Sequence, residues 1–162
     1  MALLKSKKKE IIEDLNKNLK NSVSAVFVNF HGLNVENETK LRRELDKNDV
    51  SYKVVRKTLI RRASEGVAEG SVPELEGEVA VAYSREDQTA PAREVHNFSK
   101  EHGNVLSILG GIFDGKFIGK ESMQEIAMIP SREVLYAKIV NLLNSPIQRF
   151  VIGLDQIAKL KN

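Results

Sequence analysis

The sequence predicts an α/β fold, with a small mixed sheet flanked by helices and followed by a protruding C-terminal helical extension. As far as Gly119, short apolar segments alternate with amphipathic ones, which is typical of strands alternating with helices. Beyond Gly119 the strand-like segments stop, and Pro130 and Pro146 interrupt a helical sequence. Because proline disrupts a helix interior, we expect residues 1–129 to form a globular domain with the start of the helical region, and residues 130–162 to form the extension.

In the first half of the chain, three amphipathic segments predict helices over residues 5–21, 35–46 and 58–65. Two largely apolar segments predict strands over residues 24–30 and 52–56. The turn between the first strand and the second helix lies at His31-Gly32-Leu33. Three glycines and Pro73 then indicate a loop that ends near Gly77.

In the second half, apolar segments predict strands over residues 78–83, 105–113 and 116–118. The last two flank Asp114-Gly115, a hairpin signal because both residues tolerate positive φ. Pro91 suits the first turn of a helix over residues 91–102. The remaining helices are expected over residues 121–128, 131–144 and 146–161, the last two opened by Ser131 and Ser145 as caps.

The composition is that of a soluble globular protein. Hydrophobic residues make up 41% of the 162 residues and charged residues 29%. The absence of cysteine excludes disulfides, thiol catalysis and thiolate metal sites. No segment approaches the ~20 apolar residues of a membrane-spanning helix, and the start at Met1–Lys5 lacks the apolar stretch of a secretory signal. We therefore expect a cytoplasmic location.

A basic segment over residues 53–62 is the strongest candidate for a binding site. It holds Lys53, Arg56, Lys57, Arg61 and Arg62 and no acidic residue, although the net charge of the whole chain is only +3. In a helix that begins near Thr58, several of these cations share one side, beside the helix-end amides, which suits phosphate binding. The alternative is a solubilising face. Lys7 and Lys8 form a weaker signal, because acidic residues follow them in the same helix.

The last predicted helix carries a continuous apolar stripe at helical spacing. Its members are Ile147, Phe150, Val151, Leu154, Ile157 and Ala158. The stripe indicates either a terminal helix folded back on its own core or an uncovered helix on which partner helices dock. The apolar pattern alone leaves both interpretations open.

No catalytic constellation is apparent. The three histidines are scattered, without the spacing of a metal site. Gly115–Glu121 superficially resembles a phosphate loop but is one residue short between its glycines, and Glu121 stands where a magnesium-binding hydroxyl belongs. A phosphate-handling enzyme is therefore rejected, and we expect no enzymatic activity, no cofactor and no metal.

Motifs along nearly the whole chain carry a family resemblance. They are Phe30-His31-Gly32-Leu33, Leu41–Leu45, Tyr52–Leu59, Val81–Ser84, Ala90-Pro91-Ala92, Gly110-Gly111, Asp114-Gly115-Lys116 and Ile129–Glu133. Each is weak alone, but in this order and spacing the chain resembles the bacterial ribosomal stalk-base family, large-subunit ribosomal protein ten. Two departures are notable: Lys57 stands where the family usually has asparagine, and Gly77-Glu78-Val79 replaces the usual Gly-Pro-Thr.

The resemblance implies a scaffold without catalytic activity. In that family the α/β domain binds large-subunit ribosomal RNA beside protein eleven, and the C-terminal helix binds dimers of the acidic stalk protein. Those dimers recruit translation GTPases. Members often also repress their own messenger RNA by binding an rRNA-like leader. A transient ribosome-assembly factor of the same superfamily, which carries no stalk, is the alternative.

The resemblance assigns expected roles to both candidate sites. The rRNA-binding residues are expected to be Lys7, Lys8, Lys53, Arg56, Lys57, Thr58, Arg61 and Arg62. The stalk-dimer-binding residues are expected to be the six of the apolar stripe, on a helix over about residues 146–161. That helix carries two apolar segments, about residues 147–153 and 154–161, so two dimers, or four copies of the stalk protein, are expected.

Overall fold

The computed structural model describes residues 5–103 and 105–160. Five strands and six helices occur within these ranges. The strands are β1 (Ser24–Asn29), β2 (Val50–Val54), β3 (Val79–Ser84), β4 (Ser107–Phe113) and β5 (Lys116–Gly119). The helices are α1 (Lys5–Asn21), α2 (Val35–Lys47), α3 (Lys57–Ser64), α4 (Ala90–Glu101), α5 (Lys120–Ala127) and α6 (Arg132–Leu160).

The strands form one sheet in the order β2-β3-β1-β4-β5. The four pairings between neighbouring strands are all antiparallel, and a single parallel bridge joins Glu69 to Lys116 beside β5. The α/β fold with a small sheet and a C-terminal helical extension is therefore confirmed, and the predicted mixed sheet is refined to an antiparallel one among the described strands.

Helices cover both faces of the sheet. On one face, Val26 and Val28 of β1 lie in a buried cluster with residues of α2, α4 and α5. On the other face, Ala25 and Phe27 lie in a second cluster that includes Leu19 of α1 and Ile60 of α3. Successive residues of a strand point to opposite faces, so burial on both sides explains why β1 is apolar throughout.

Gly111 is required by a close approach between β4 and β1. A Cβ atom at this position would lie 2.2 Å from the carbonyl oxygen of Ala25 and 2.5 Å from Cε of Met123. Both distances are well inside van der Waals contact. The Gly110-Gly111 pair thus lets β4 pass under α5 while it stays paired with β1.

The hairpin prediction is confirmed. Asp114 and Gly115 connect β4 to β5 with φ angles of 52° and 74°, the left-handed conformation that an aspartate–glycine turn tolerates. Most predicted elements agree with the structure within two residues at each end, including β2, which begins and ends two residues earlier than expected.

The expected helix break at Pro146 is wrong. α6 runs as one helix of 29 residues with Pro146 inside it, about 43 Å long at ~1.5 Å per residue. Proline removes one main-chain donor, here the one that would reach the carbonyl of Leu142, and this is a local loss. The long helix-forming segments on either side outweigh it. The predicted helix end at Lys161 lies outside the described residues.

By its internal contacts the chain divides into two compact units, Met1–Ile129 and Pro130–Asn162. The first contains the sheet and its flanking helices, and the second contains α6. No helix in the described part of the chain is long and apolar enough to span a bilayer.

Tyr52, on the edge strand β2, has an unusual environment. Its ring lies under the guanidinium of Arg42, with Cζ 5.1 Å from the ring centroid. Its hydroxyl is buried and has no hydrogen-bond partner among the described residues. Burial, reinforced by the nearby carboxylate of Glu38 and opposed by Arg42, raises the pKa of Tyr52 to about 12.

We expect Tyr52→Phe to change stability with pH in a defined direction. A phenol with a raised pKa stabilises the fold below its unfolded pKa of about 10, and this contribution is lost as the pH rises from there towards 12. The variant should therefore match the wild type within ~0.5 kcal/mol at pH 7, since no hydrogen bond is removed, and exceed it at pH 11. Urea unfolding of both proteins at the two pH values measures this. Equal losses on going to pH 11 would contradict it.

Candidate functional sites

α3 carries the centre of the basic segment, and its amphipathic pattern fixes which side is exposed. Its buried residues are Leu59, Ile60, Ala63 and Ser64, and α3 packs against α1. The exposed residues are Lys57, Thr58, Arg61 and Arg62. Arg56 is the N-cap residue with an extended backbone, and its carbonyl accepts the N–H groups of Leu59 and Ile60 at 2.9 and 3.1 Å. Arg56 and Lys57 are thereby held at the first turn of α3, and Arg61 and Arg62 lie in its last turn.

Lys8 of α1 lies beside this group. It is half-buried and lines a cavity of about 260 Å³ together with Arg56, Thr58, Leu59 and Arg62. We call Lys8, Arg56, Lys57, Thr58, Arg61 and Arg62 the basic surface.

A second cavity of about 420 Å³ adjoins the basic surface. It is lined by Lys57, Thr58, Arg61, Arg62, Glu65 and Leu75. Thr58 and Arg62 line both this cavity and the one at Lys8. The two cavities therefore share part of their walls, on the side of α3 that carries the cations. Clustered long cations beside free helix-end N–H groups can bind several phosphates of one strand.

Two of the predicted RNA-binding residues stand apart from the basic surface. Lys53 donates a hydrogen bond to the carboxylate of Asp14 in α1, and this bond together with the lysine charge lowers the pKa of Asp14. Its charge is thus locally offset by a carboxylate. Lys7 is exposed but lines none of the described cavities at α3.

A third cavity, which was not predicted from the sequence, opens beside the basic surface. It measures about 490 Å³ and is lined by Phe30, Val54, Val55, Arg56, Lys57, Thr58, Gly77, Glu78 and Val79. It lies where β2 and β1 end and β3 begins, and these three strands are neighbours in the sheet. We call it the strand-end cavity. Its sequence signal was the consecutive pair Val54-Val55 at the end of a strand, where period-two alternation leaves one valine without a core position.

The predicted apolar stripe lies uncovered on α6. Ile147, Phe150, Val151, Leu154 and Ile157 are between 52% and 68% exposed, and Ala158 is also exposed. Contiguous exposed apolar surface of this kind marks interaction sites.

The stripe also extends further towards the N-terminus of α6 than predicted. Tyr136, Val140 and Leu143 continue it at spacings of four and three residues, and each is at least 63% exposed. With Ile147, Phe150, Leu154 and Ile157 they form an unbroken alternation of four and three, the pattern of a helix that packs along other helices. The expected break at Pro146 had hidden this continuity. We call the whole row, from Tyr136 to Ile157, the α6 stripe.

The described residues contain no group of three or more histidine, cysteine, aspartate or glutamate side chains that could hold a metal ion. The first unit presents a cationic surface with cavities around α3, and the second presents an apolar helical surface.

Comparison with known proteins gives the family of the chain. The family model "Ribosomal protein L10" matches residues 3–100, and the model "Ribosomal protein uL10 C-terminal region" matches residues 129–162. Proteins called large ribosomal subunit protein uL10 are similar over most of the chain. Those of Staphylococcus carnosus and Alkaliphilus metalliredigens are 38% and 37% identical, each over 95% of this chain and 93% of the relative. That of Clostridioides difficile is 37% identical over 94% of this chain and 91% of the relative.

Similarity of this extent identifies the family. It also confirms that the chain is a structural protein rather than an enzyme, located in the cytoplasm on the ribosome. The chain belongs to the uL10 family of large-subunit ribosomal proteins.

Proposed function

We propose that this chain forms the base of the stalk on the large ribosomal subunit. Residues 1–129 bind large-subunit ribosomal RNA beside protein eleven, and residues 130–162 hold dimers of the acidic stalk protein, which recruit translation GTPases. The observation that carries the proposal is that the chain presents two chemically different surfaces on two separate units, one cationic and one apolar.

The basic surface supports the RNA half of this proposal. Six residues of α1, α3 and its N-cap converge there, five of them basic. Phosphate contacts by such cations dominate affinity for nucleic acid and make it fall with salt. A dispersed solubilising face would not line adjoining cavities beside a helix N-terminus, whose N–H groups add to anion binding.

The α6 stripe supports the stalk half. The row is long, exposed and regularly spaced, so helices of a partner can pack along it. It also favours a stalk base over a transient assembly factor, because an assembly factor that carries no stalk has no use for an uncovered apolar helix.

Two binding measurements test the proposal. The full chain should bind an in vitro transcript of large-subunit rRNA with an affinity that falls steeply with salt, and it should capture the organism's acidic stalk protein in a pull-down. Failure of the first would remove the RNA assignment, and failure of the second would remove the stalk assignment. An rRNA-like leader of the chain's own messenger RNA should compete with the rRNA transcript if the same surface serves autogenous repression.

The number of stalk dimers is a separate prediction. The sequence carries two apolar segments, around residues 147–153 and 154–161, and with one dimer on each segment we expect two dimers. Native mass spectrometry of the co-expressed complex should show four stalk copies per chain. Six copies would contradict this and would assign a third dimer to the part of the α6 stripe that precedes Pro146.

A further inference from the structure

We propose that the strand-end cavity receives one unstacked base of the bound RNA, while the basic surface holds the phosphates of the same strand. This inference rests on the proposed RNA-binding function and adds to it a mode of recognition. It concerns residues that lie outside the expected RNA-binding set, above all Val54, Val79 and Glu78.

The walls of the cavity suit a flat apolar ring. Phe30, Val55 and Val79 pack against or belong to the two buried clusters of the sheet, so these walls are fixed by the core. Val54, by contrast, is 41% exposed at the end of β2, so the apolar surface is accessible from outside. At about 490 Å³, the cavity falls within the ~300–1,000 Å³ range of small-molecule sites and has room for a single base.

The cations around the cavity indicate that the ring belongs to a polyanionic ligand. Arg56, Lys57 and Thr58 line the strand-end cavity. Arg56 also lines the cavity at Lys8, Lys57 the cavity of about 420 Å³, and Thr58 both of them. A polyanionic chain that follows the basic surface therefore passes the mouth of an apolar cavity. Specific recognition of RNA commonly uses bases that leave the stack and pack against apolar or guanidinium surfaces, and this juxtaposition provides both.

Glu78 gives the cavity a preference among bases. It is the one acidic residue among the lining residues of the described cavity, and its main-chain carbonyl is fixed by the N–H of Phe30 at 3.1 Å. A carboxylate accepts hydrogen bonds but cannot donate them, so it favours a base edge with an exocyclic amine. Adenine, cytosine and guanine carry such an amine. Uracil offers only its N3–H, which lies between two carbonyl oxygens that a carboxylate repels.

Filling the cavity tests the inference. Val54→Trp should occupy the cavity without entering the core, and Ser51→Trp places the same side chain at an exposed position of β2 that does not line it. Both full-length variants are compared with the wild type for binding to the large-subunit rRNA transcript across a salt series, with circular dichroism as a check of folding.

We expect Val54→Trp to bind about tenfold more weakly, since stacking of one base contributes ~1–3 kcal/mol and ~1.4 kcal/mol corresponds to a factor of ten. Its salt dependence should equal that of the wild type, because the phosphate contacts remain. Dimethyl sulfate and kethoxal should show one unpaired base shielded in the wild-type and Ser51→Trp complexes and reactive in the Val54→Trp complex. Wild-type affinity and wild-type shielding for Val54→Trp would overturn the inference and leave the proposed RNA binding intact.

A second pair of variants tests the base preference without relying on a bulky substitution. Glu78→Ala and Glu76→Ala each remove one exposed carboxylate two residues apart, but only Glu78 lines the cavity. Replacing the shielded nucleotide with uridine should weaken binding about tenfold for the wild type and for Glu76→Ala, and should have no effect for Glu78→Ala. Equal sensitivity of all three proteins would overturn the role of Glu78. A wild-type chain that fails to bind the transcript at all would overturn the proposed function itself, and this inference with it.

Discussion

Arg56→Glu combined with Lys57→Glu is expected to weaken binding of large-subunit rRNA by about a hundredfold or more at ~0.1 M salt. Both residues lie at the start of α3, on the basic surface, and line two grooves each. Each phosphate contact that is lost lowers the dependence of log affinity on log salt by ~0.7–0.9. The slope should therefore fall by about 1.5, which filter binding across a salt series measures directly.

A matched control separates this effect from net charge. Arg43→Glu with Lys47→Glu makes the same change in charge on α2, where both residues are exposed and where the helix covers the opposite face of the sheet from α3. The control should lose little affinity, and its salt slope should stay near that of the wild type. Capture of the stalk protein should be unchanged in both variants. A double variant at the basic surface with unchanged RNA affinity would refute the assignment of that surface.

Phe150→Asp combined with Leu154→Asp is expected to abolish binding of the stalk dimers and to leave RNA binding unchanged. The two side chains are 68% and 52% exposed in the middle of the α6 stripe. Burying a side chain of this size contributes ~1.5–3 kcal/mol. Loss of two of them, with two unpaired carboxylates in their place, should exceed a thousandfold loss in affinity.

The control for this pair is Gln148→Asp with Gln156→Asp. Both glutamines are exposed on α6, but they lie away from the stripe by helical geometry, so the same charges there should leave capture of the stalk protein intact. Isothermal titration with the purified stalk dimer measures both variants. Retained binding in the Phe150/Leu154 variant would refute the α6 stripe as the docking surface.

The two surfaces also differ in how far local sequence patterns predict them. The basic surface was largely predictable because its residues are close in the chain and their helical spacing fixes one exposed side. Lys8 comes from α1, some fifty residues earlier in the chain, and its place beside Arg62 depended on the packing of α1 on α3. Lys53 is adjacent in sequence, yet its charge is offset by Asp14 of α1, a pairing that no local pattern indicates.

The pair Val54-Val55 marks an apolar strand end in the sequence, but local patterns do not predict the strand-end cavity itself. Its walls come from the ends of β1 and β2 and the start of β3, which meet only because β3 lies between the other two strands in the sheet. The α6 stripe is longer than predicted for a different reason. Its spacing is local and visible in the sequence. A proline inside a helical segment predicts a break, but α6 continues through Pro146.

The sequence by itself determined the fold class, the position of nearly every element, the basic segment at residues 53–62, the apolar residues of the last helix and the family. Each of these depends on patterns within a few turns or on motifs in order along the chain. Only the tertiary structure decided which cations share a groove, which lysine is held by a carboxylate, and that an apolar cavity opens beside the phosphate-binding edge. These depend on strand order and helix packing, which bring together residues that are distant in sequence and follow from the global burial of both sheet faces.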